Sequence, residues 1–404
     1  MKRTLLLFVL LAAGCNPVKS VEVPDYRKYL DTTQNSGSDV DSSAMKPASD
    51  TSAAKPGELN LATCTDLVLL YGGSSHRNPA DWGRNYVRDY VTYTDQSGKT
   101  HWMFDGFLLL EFMMTQFDAT LVTGYQYGGK YLPSADKTVW QSLVNYYFKA
   151  GYAIDAIEES VKDATATLGA PPSKRKVVIG IPEPIKLLDS HAGTGGSTYW
   201  GELDGKTLDF SITTDRLKAV KWYINQIASK FNSKNYQYVE LAGFYWVAEK
   251  ATQTSDLLMS VSEYLHTLGY SFNWIPYYNA DGYKQWKGYG FDVAYLQPNY
   301  FFNASIPSSR VNDACELAIN ANMPGMEVEF AGNAVVSSGG DKGYKLYEYI
   351  DGFKANGIWE NKLLAYYQGS WAYRWLKYSS NADDQKLYYY FSDWVISRPV
   401  RESH

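Results

Sequence analysis

Histidine and cysteine are scarce: the chain of 404 residues has 5 of the first and 3 of the second. His76, His101, His191 and His266 show no metal-ligand spacing and no CxxC pair occurs, so no transition-metal site is expected. Three cysteines make no disulfide framework, and whether Cys64 and Cys315 pair stays open. No basic run is present, and 38 Lys and Arg stand against 43 Asp and Glu for a net charge of −5, which argues against a nucleic-acid partner. The absence of a GxSxG elbow disfavours a serine hydrolase. Gly193–Ser197 lacks the lysine and the following helix of a phosphate loop and reads as a plain loop. No cofactor is called for, and only an oxygen-ligated cation such as calcium is left open.

Aromatic residues are the excess, with 12 Trp, 35 Tyr and 16 Phe. Hydrophobic content of 45% with 20% charged residues suits a folded domain with a sizeable core. Rings beyond what a core needs stack on ligands, carbohydrate among them; the plainer reading is an aromatic-rich core.

Lys2 and Arg3 precede an apolar run from Leu5 to Ala13, too short to span a bilayer and right for a secretory signal. The run ends in Leu11-Ala12-Ala13-Gly14-Cys15, which resembles a bacterial lipobox with Ala12 where Leu is commonest. The resemblance implies a signal peptide of residues 1–14, cleavage before Cys15 and acylation of its thiol. It also implies a lipid anchor on the bacterial envelope, at the outer membrane facing the periplasm or the cell surface. Residues 15–58, richest in Ser, Thr, Asp, Ala and Pro from Asp31 to Gly57, read as a flexible tether. Residues 59–404 are left for one domain, and no other stretch could cross a membrane.

Eight short apolar runs recur in that domain: Asp66–Gly73, Phe104–Phe112, Lys176–Glu183, Tyr238–Trp246, Ser271–Asn279, Phe291–Tyr300, Gly325–Phe330 and Leu363–Gly369. Near-continuous apolar strands are buried on both faces, as in a parallel sheet. Helical patterns lie between them: Ala135–Leu168 as one long helix, Leu217–Phe231 capped by Thr213-Thr214-Asp215, Leu257–Leu268 closed by Gly269, then Arg310–Asn320, Tyr344–Lys354 and Asp384–Val395. Eight β-then-α units predict a (β/α)8 TIM barrel, with an open doubly wound sheet as the runner-up. Long structureless loops are expected after strands two and three, carrying Tyr125, Tyr127, Tyr131, His191, Tyr199 and Trp200 onto the face where barrel sites are built.

Strand seven is the most informative. Met326, Val328 and Phe330 share one face and suit the helix layer; Glu327 and Glu329 share the other and are expected inside, Glu329 nearer the C-terminal mouth. Buried charges are costly and natural sites concentrate them, so a catalytic carboxylate is favoured over a buried ion pair. The same logic places Tyr71 at the end of strand one, followed by His76 and Arg77. It puts Glu111 at the end of strand two, Glu183 at the end of strand three, Tyr277 and Asn279 at the end of strand five, and Gln297 and Asn299 late in strand six. Gln368 ends strand eight, with Trp371 just beyond. Trp246 ends strand four and Glu249 follows. By alternation Tyr245, Val247 and Glu249 are expected to face the helices, unless a turn or bulge after Trp246 brings Glu249 inward. Carboxylates, amides and rings together suit sugar recognition, with His191, Trp200, Trp246 and Trp371 among the candidate contacts. Glycosidic cleavage needs two flanking carboxyl groups, and several strands offer one.

With these runs in view, the chain resembles the large clan of (β/α)8 glycoside hydrolases. It looks most like an uncharacterised family of gut-bacterial surface lipoproteins near that clan. The residues behind this are the lipobox with its tether, Phe104–Phe112 (FDGFLLLEF), Leu241–Glu249 (LAGFYWVAE), Asn273–Asn279 (NWIPYYN), Ala294–Tyr300 (AYLQPNY) and Gly325–Phe330 (GMEVEF). In many retaining members the acid/base Glu follows strand four and the nucleophile Glu ends strand seven. The resemblance therefore implies Glu249 as acid/base and Glu329 as nucleophile, with Glu327, Glu183 and Glu111 as alternates. Ala248 stands where the clan usually has Asn. The expected partner is an oligo- or polysaccharide. The competing classes are a non-catalytic glycan-binding lipoprotein on the same scaffold, and another reaction such as a polysaccharide lyase or esterase.

Overall fold

The computed structural model describes residues 64–72, 81–114, 117, 119–122, 134–186, 198–251 and 254–401. The apolar runs form strands where expected: β1 (Asp66–Tyr71), β2 (Gly106–Leu110), β3 (Arg175–Ile181), β4 (Val239–Trp246), β5 (Ser271–Trp274), β6 (Val293–Leu296), β7 (Gly325–Glu329) and β8 (Leu363–Tyr367). Each pairs in parallel with its sequence neighbours, and β8 pairs with β1, so the sheet closes into a barrel. All eight are largely buried because the barrel lumen covers one face and helices the other.

Around the barrel run α1 (Arg84–Val91), α2 (Lys137–Tyr147), α3 (Ala153–Leu168), α4 (Thr213–Lys234), α5 (Ser255–Thr267), α6 (Ser309–Asn320), α7 (Gly343–Ala355), α8 (Ile358–Asn361), α9 (Ala372–Tyr378) and α10 (Ala382–Ile396). The single helix expected over 135–168 is two, because the chain turns between Phe148 and Tyr152 with Gly151 at φ 75°. The polar trio Thr213-Thr214-Asp215 does not cap α4 but forms its first turn, with Ile212 at the cap position; the Thr213 hydroxyl donates to Asp256 instead. After β5 the described connection holds a short 3-10 helix, Tyr283–Tyr289, rather than an α-helix. The long loops after β2 and β3 are not structureless. The first contains the hairpin Met113–Met114 with Ala119–Thr120, the second Tyr199–Leu203 with Lys206–Asp209.

One contact orients the strands. The Tyr295 hydroxyl of β6 lies 3.9 Å from Cys64 Sγ, just before β1, so Tyr295 crosses the lumen. Paired residues on neighbouring strands share a face. Gly325 pairs with Tyr295 and Glu329 with Tyr367, which puts Gly325, Glu327, Glu329 and Tyr367 inside. Phe330 points the other way, its ring 5.2 Å from Phe391 of α10.

At the opposite end of the barrel from the mouth, Asp66 receives Arg398 and Arg401 from the last described turn and the Tyr366 hydroxyl at 2.6 Å. This ties the chain's end to its first strand. Cys64 and Cys315 are free, buried thiols; burial pushes Cys315 up to about 12 and Cys64 higher still.

Candidate active site

The position of Glu249 is decided seven residues earlier in the chain, in the pairing of β4 with β3. Glu240 pairs with Lys176 and Leu241 with Val177, but Val178 pairs with Gly243. Ala242 is an extra residue, a bulge that reverses the alternation beyond it. Tyr245 then pairs with Gly180 and with Asn273, on the lumen side. This corrects the expectation that Tyr245 faces the helices. Trp246 takes the outer face instead, paired with Ile181 and with its Nε1 donating to Thr254 Oγ1 at 3.3 Å, so it packs in the helix layer and not at the mouth.

Glu249, buried just beyond β4, accepts from Gln297 Nε2 at 3.3 Å. Gln297 forms a parallel bridge with Tyr277, and its backbone amide donates to Pro276. Gln297 Oε1 is buried with no hydrogen-bond partner among the described residues, an acceptor suited to a ligand hydroxyl.

Glu329 ends β7, fully buried. Its Oε2 accepts from two donors: the Tyr349 hydroxyl of α7 at 2.5 Å and the Tyr300 backbone amide at 3.2 Å. Burial, and after it the charge of Glu329, push the Tyr349 hydroxyl well above the usual phenol range, so it stays protonated and donates. The Tyr300 hydroxyl donates in turn to Glu348. Glu327 lies on the same face one pleat deeper, also buried.

Beside these groups, beginning with Tyr367 next to Glu329, runs an arc of rings, of which Tyr71, Phe112 and Tyr367 are buried and Phe302 is partly exposed. Tyr71 lies 5.5 Å from Phe112 and 5.6 Å from Tyr367, and Tyr367 lies 5.6 Å from Phe302 in the loop after β6. The mouth thus has an acid and amide side from β4, β6 and β7 and an aromatic side from β8, β1 and β2.

Other expected residues sit elsewhere. Glu111 has the parity of Leu109, toward the helix layer; burial, then Tyr223 and Glu111, push the Tyr147 hydroxyl of α2 upward. Glu183 is buried beyond β3, its amide donating to Leu121. Gln368 has the parity of Tyr366, outward, and accepts from the Tyr90 hydroxyl at 3.1 Å while its amide reaches Ser370. It locks β8 to α1. Trp200 is buried against Trp140, Phe210 and Trp222, a hairpin anchor and not a sugar platform. Asn279 is exposed at φ 59° and Asn299 sits at φ 56°, both left-handed turn positions that Asn tolerates. Trp371 is partly exposed beyond β8, stacked on Tyr86 at 4.7 Å. Cys15, His76, Arg77, Tyr125, Tyr127, Tyr131 and His191 lie outside the described residues.

Sequence reasoning passed over Tyr349, Tyr300, Phe302, Phe112 and Tyr367. Alternation along strand eight could have found Tyr367. Tyr349 carries no such signal, because it belongs to a helix and reaches Glu329 from outside the strand pattern.

A family model described as Domain of unknown function (DUF4855) matches residues 66–392, and the chain belongs to that family. None of the curated proteins compared with it matches. Among solved structures, a concanavalin B is similar at 10% identity and a TM-score of 0.37, over 81% of this chain and 99% of its own.

Proposed function

We propose that this DUF4855 member is a glycoside hydrolase that cleaves a complex polysaccharide, with Glu329 as nucleophile and Glu249 as acid/base. One observation carries the reading. A single stretch of the loop after β6 holds both carboxylates, Gln297 through its side chain and Tyr300 through its amide.

In the first step a Glu329 oxygen attacks the anomeric carbon, and the bond to the leaving oxygen breaks as Glu249 gives that oxygen its proton. In the second, water adds to the same carbon, gives its proton back to Glu249 and expels Glu329. Net retention follows from two inversions. Two donors on Glu329 Oε2 fix the orientation of the carboxylate, which a nucleophile needs for in-line attack. Gln297 Oε1 and the arc Tyr71, Phe112, Tyr367 and Phe302 supply a hydroxyl acceptor and stacking faces.

The ring arc also supports a second reading, a non-catalytic glycan holder on the same scaffold. Both readings include a lipid anchor at Cys15 on the bacterial envelope, supported by the lipobox-like run and the polar tether. The deciding experiment measures binding and product release for wild type and Glu329→Gln on plant, host and microbial glycans. Release by wild type with binding but no release by Glu329→Gln supports the hydrolase; binding without release by either supports the holder. Proton NMR of the fresh product reads retention directly.

A further inference from the structure

Lys345 is buried on α7, one turn before Tyr349, and the reaction above does not use it. Its Nζ donates to the Tyr300 carbonyl at 2.9 Å and the Asn303 carbonyl at 3.0 Å, and stands 4.0 Å from the centre of the Tyr300 ring. A buried ammonium is costly, and here two carbonyls and a ring face offset that cost in one arrangement of the loop only. Lys342, one turn earlier, donates to the Phe302 carbonyl at 2.7 Å, and Glu348 takes the Tyr300 hydroxyl. Helix α7 therefore grips the loop after β6 at Tyr300, Phe302 and Asn303. Burial, and then the Lys342 charge, lower the Lys345 pKa, against the pull of Glu348 and Glu329; this is the signature of a desolvated lysine.

We propose that Lys345 is a positioning residue that clamps Tyr300 so that its amide is held on Glu329. The carboxylate is then aligned from two sides by one helix: directly by Tyr349, and through Tyr300 by Lys345. The proposal rests on the hydrolase reading for its catalytic consequence, while the clamp itself has a readout of its own.

The test uses the full chain as wild type, Lys345→Met and Tyr300→Phe. Amide hydrogen exchange is read over the loop after β6, and kcat and KM are read on aryl glycosides. In Lys345→Met the Tyr300 amide is expected to exchange about tenfold faster or more, with β7 amides unchanged. kcat is expected to fall about tenfold with KM within about threefold, because the loss acts on the reacting carboxylate and not on binding. Tyr300→Phe removes only the link to Glu348 and keeps the carbonyl and ring face that Lys345 engages, so it is expected to change both in the same direction by less; Lys345→Gln, which keeps a donor for one carbonyl, carries the test if Lys345→Met does not fold. Unchanged exchange overturns the clamp, and faster exchange with unchanged kcat overturns its role as a positioning residue for Glu329; either outcome leaves the hydrolase standing. A wild type that turns over no glycoside sinks the hydrolase reading, and this role at Glu329 with it.

Discussion

Glu249 and Glu329 belong to strands three places apart in the barrel, yet both are hydrogen-bonded by the short stretch from Gln297 to Tyr300. One loop therefore holds the two carboxyl groups, on the side of the mouth where β6 lies. A sugar lying against the ring arc from Phe112 to Phe302 would present its linkage to that side.

The pair should separate by leaving group. Glu329→Gln is expected to lower turnover about 10³-fold or more on every substrate, since no other group makes the covalent bond. Glu249→Gln is expected to cost about 10²–10⁴-fold on natural glycans and far less on activated aryl glycosides, which leave without protonation. Equal losses of Glu249→Gln on both substrate types, in steady-state kinetics, would remove it as the acid.

Tyr349→Phe deletes one donor on Glu329 Oε2 and keeps the ring, which packs 5.8 Å from both Tyr300 and Phe353. A hydrogen bond to a charged group is worth about 1.5–3 kcal/mol, so kcat should drop about 10- to 150-fold. Circular dichroism of the variant should match wild type. Full activity would show that the Tyr300 amide suffices.

Trp200 and Trp371, two of the three tryptophans expected from sequence to contact sugar, should behave differently. Trp200→Ala empties a site packed against Trp140, Phe210 and Trp222, and should destabilise by about 3–5 kcal/mol in urea titration. Trp371→Ala, at a partly exposed stack with Tyr86, should cost about 1 kcal/mol of stability. Any loss of glycan affinity belongs to the Trp371 variant, read by calorimetry.

Acid stability should depend on Asp384. Although its burial would raise its pKa, hydrogen bonds from Ser379, Ser337 and Val336 hold it below the ordinary value of 3.8. A lowered native pKa contributes stability above the unfolded value that is lost as pH falls through the native one. Asp384→Asn should therefore lower Tm at pH 7, and the gap to wild type should close below about pH 4. A gap that is constant with pH would assign the loss to packing alone.

Cys15→Ala should abolish incorporation of radiolabelled palmitate in a bacterial host and release the protein from membranes. Persistent membrane association of that variant would overturn the proposed anchor.

Strand count, strand order and the inward face of β7 were legible because Gly325–Glu329 alternates cleanly and pairs with β8 without a slip. The same alternation misled at β4, where Ala242 is inserted against the Val177–Val178 step of β3. A bulge is a property of two strands together, so no reading of Tyr238–Trp246 alone could place Tyr245 inside. Position at a strand end or in a mouth loop, together with residue type, points Trp200, Trp246 and Gln368 to the mouth, whereas neighbouring hairpins and helices absorb them.

By itself, then, the order of residues determined the eight-fold alternation of strand and helix, through apolar runs whose two faces must both be covered. Tertiary structure decided which polar groups reach the rim and what steadies them there. A one-residue insertion reverses every side chain beyond it, and a helix donor such as Tyr349 meets Glu329 only once the barrel has closed.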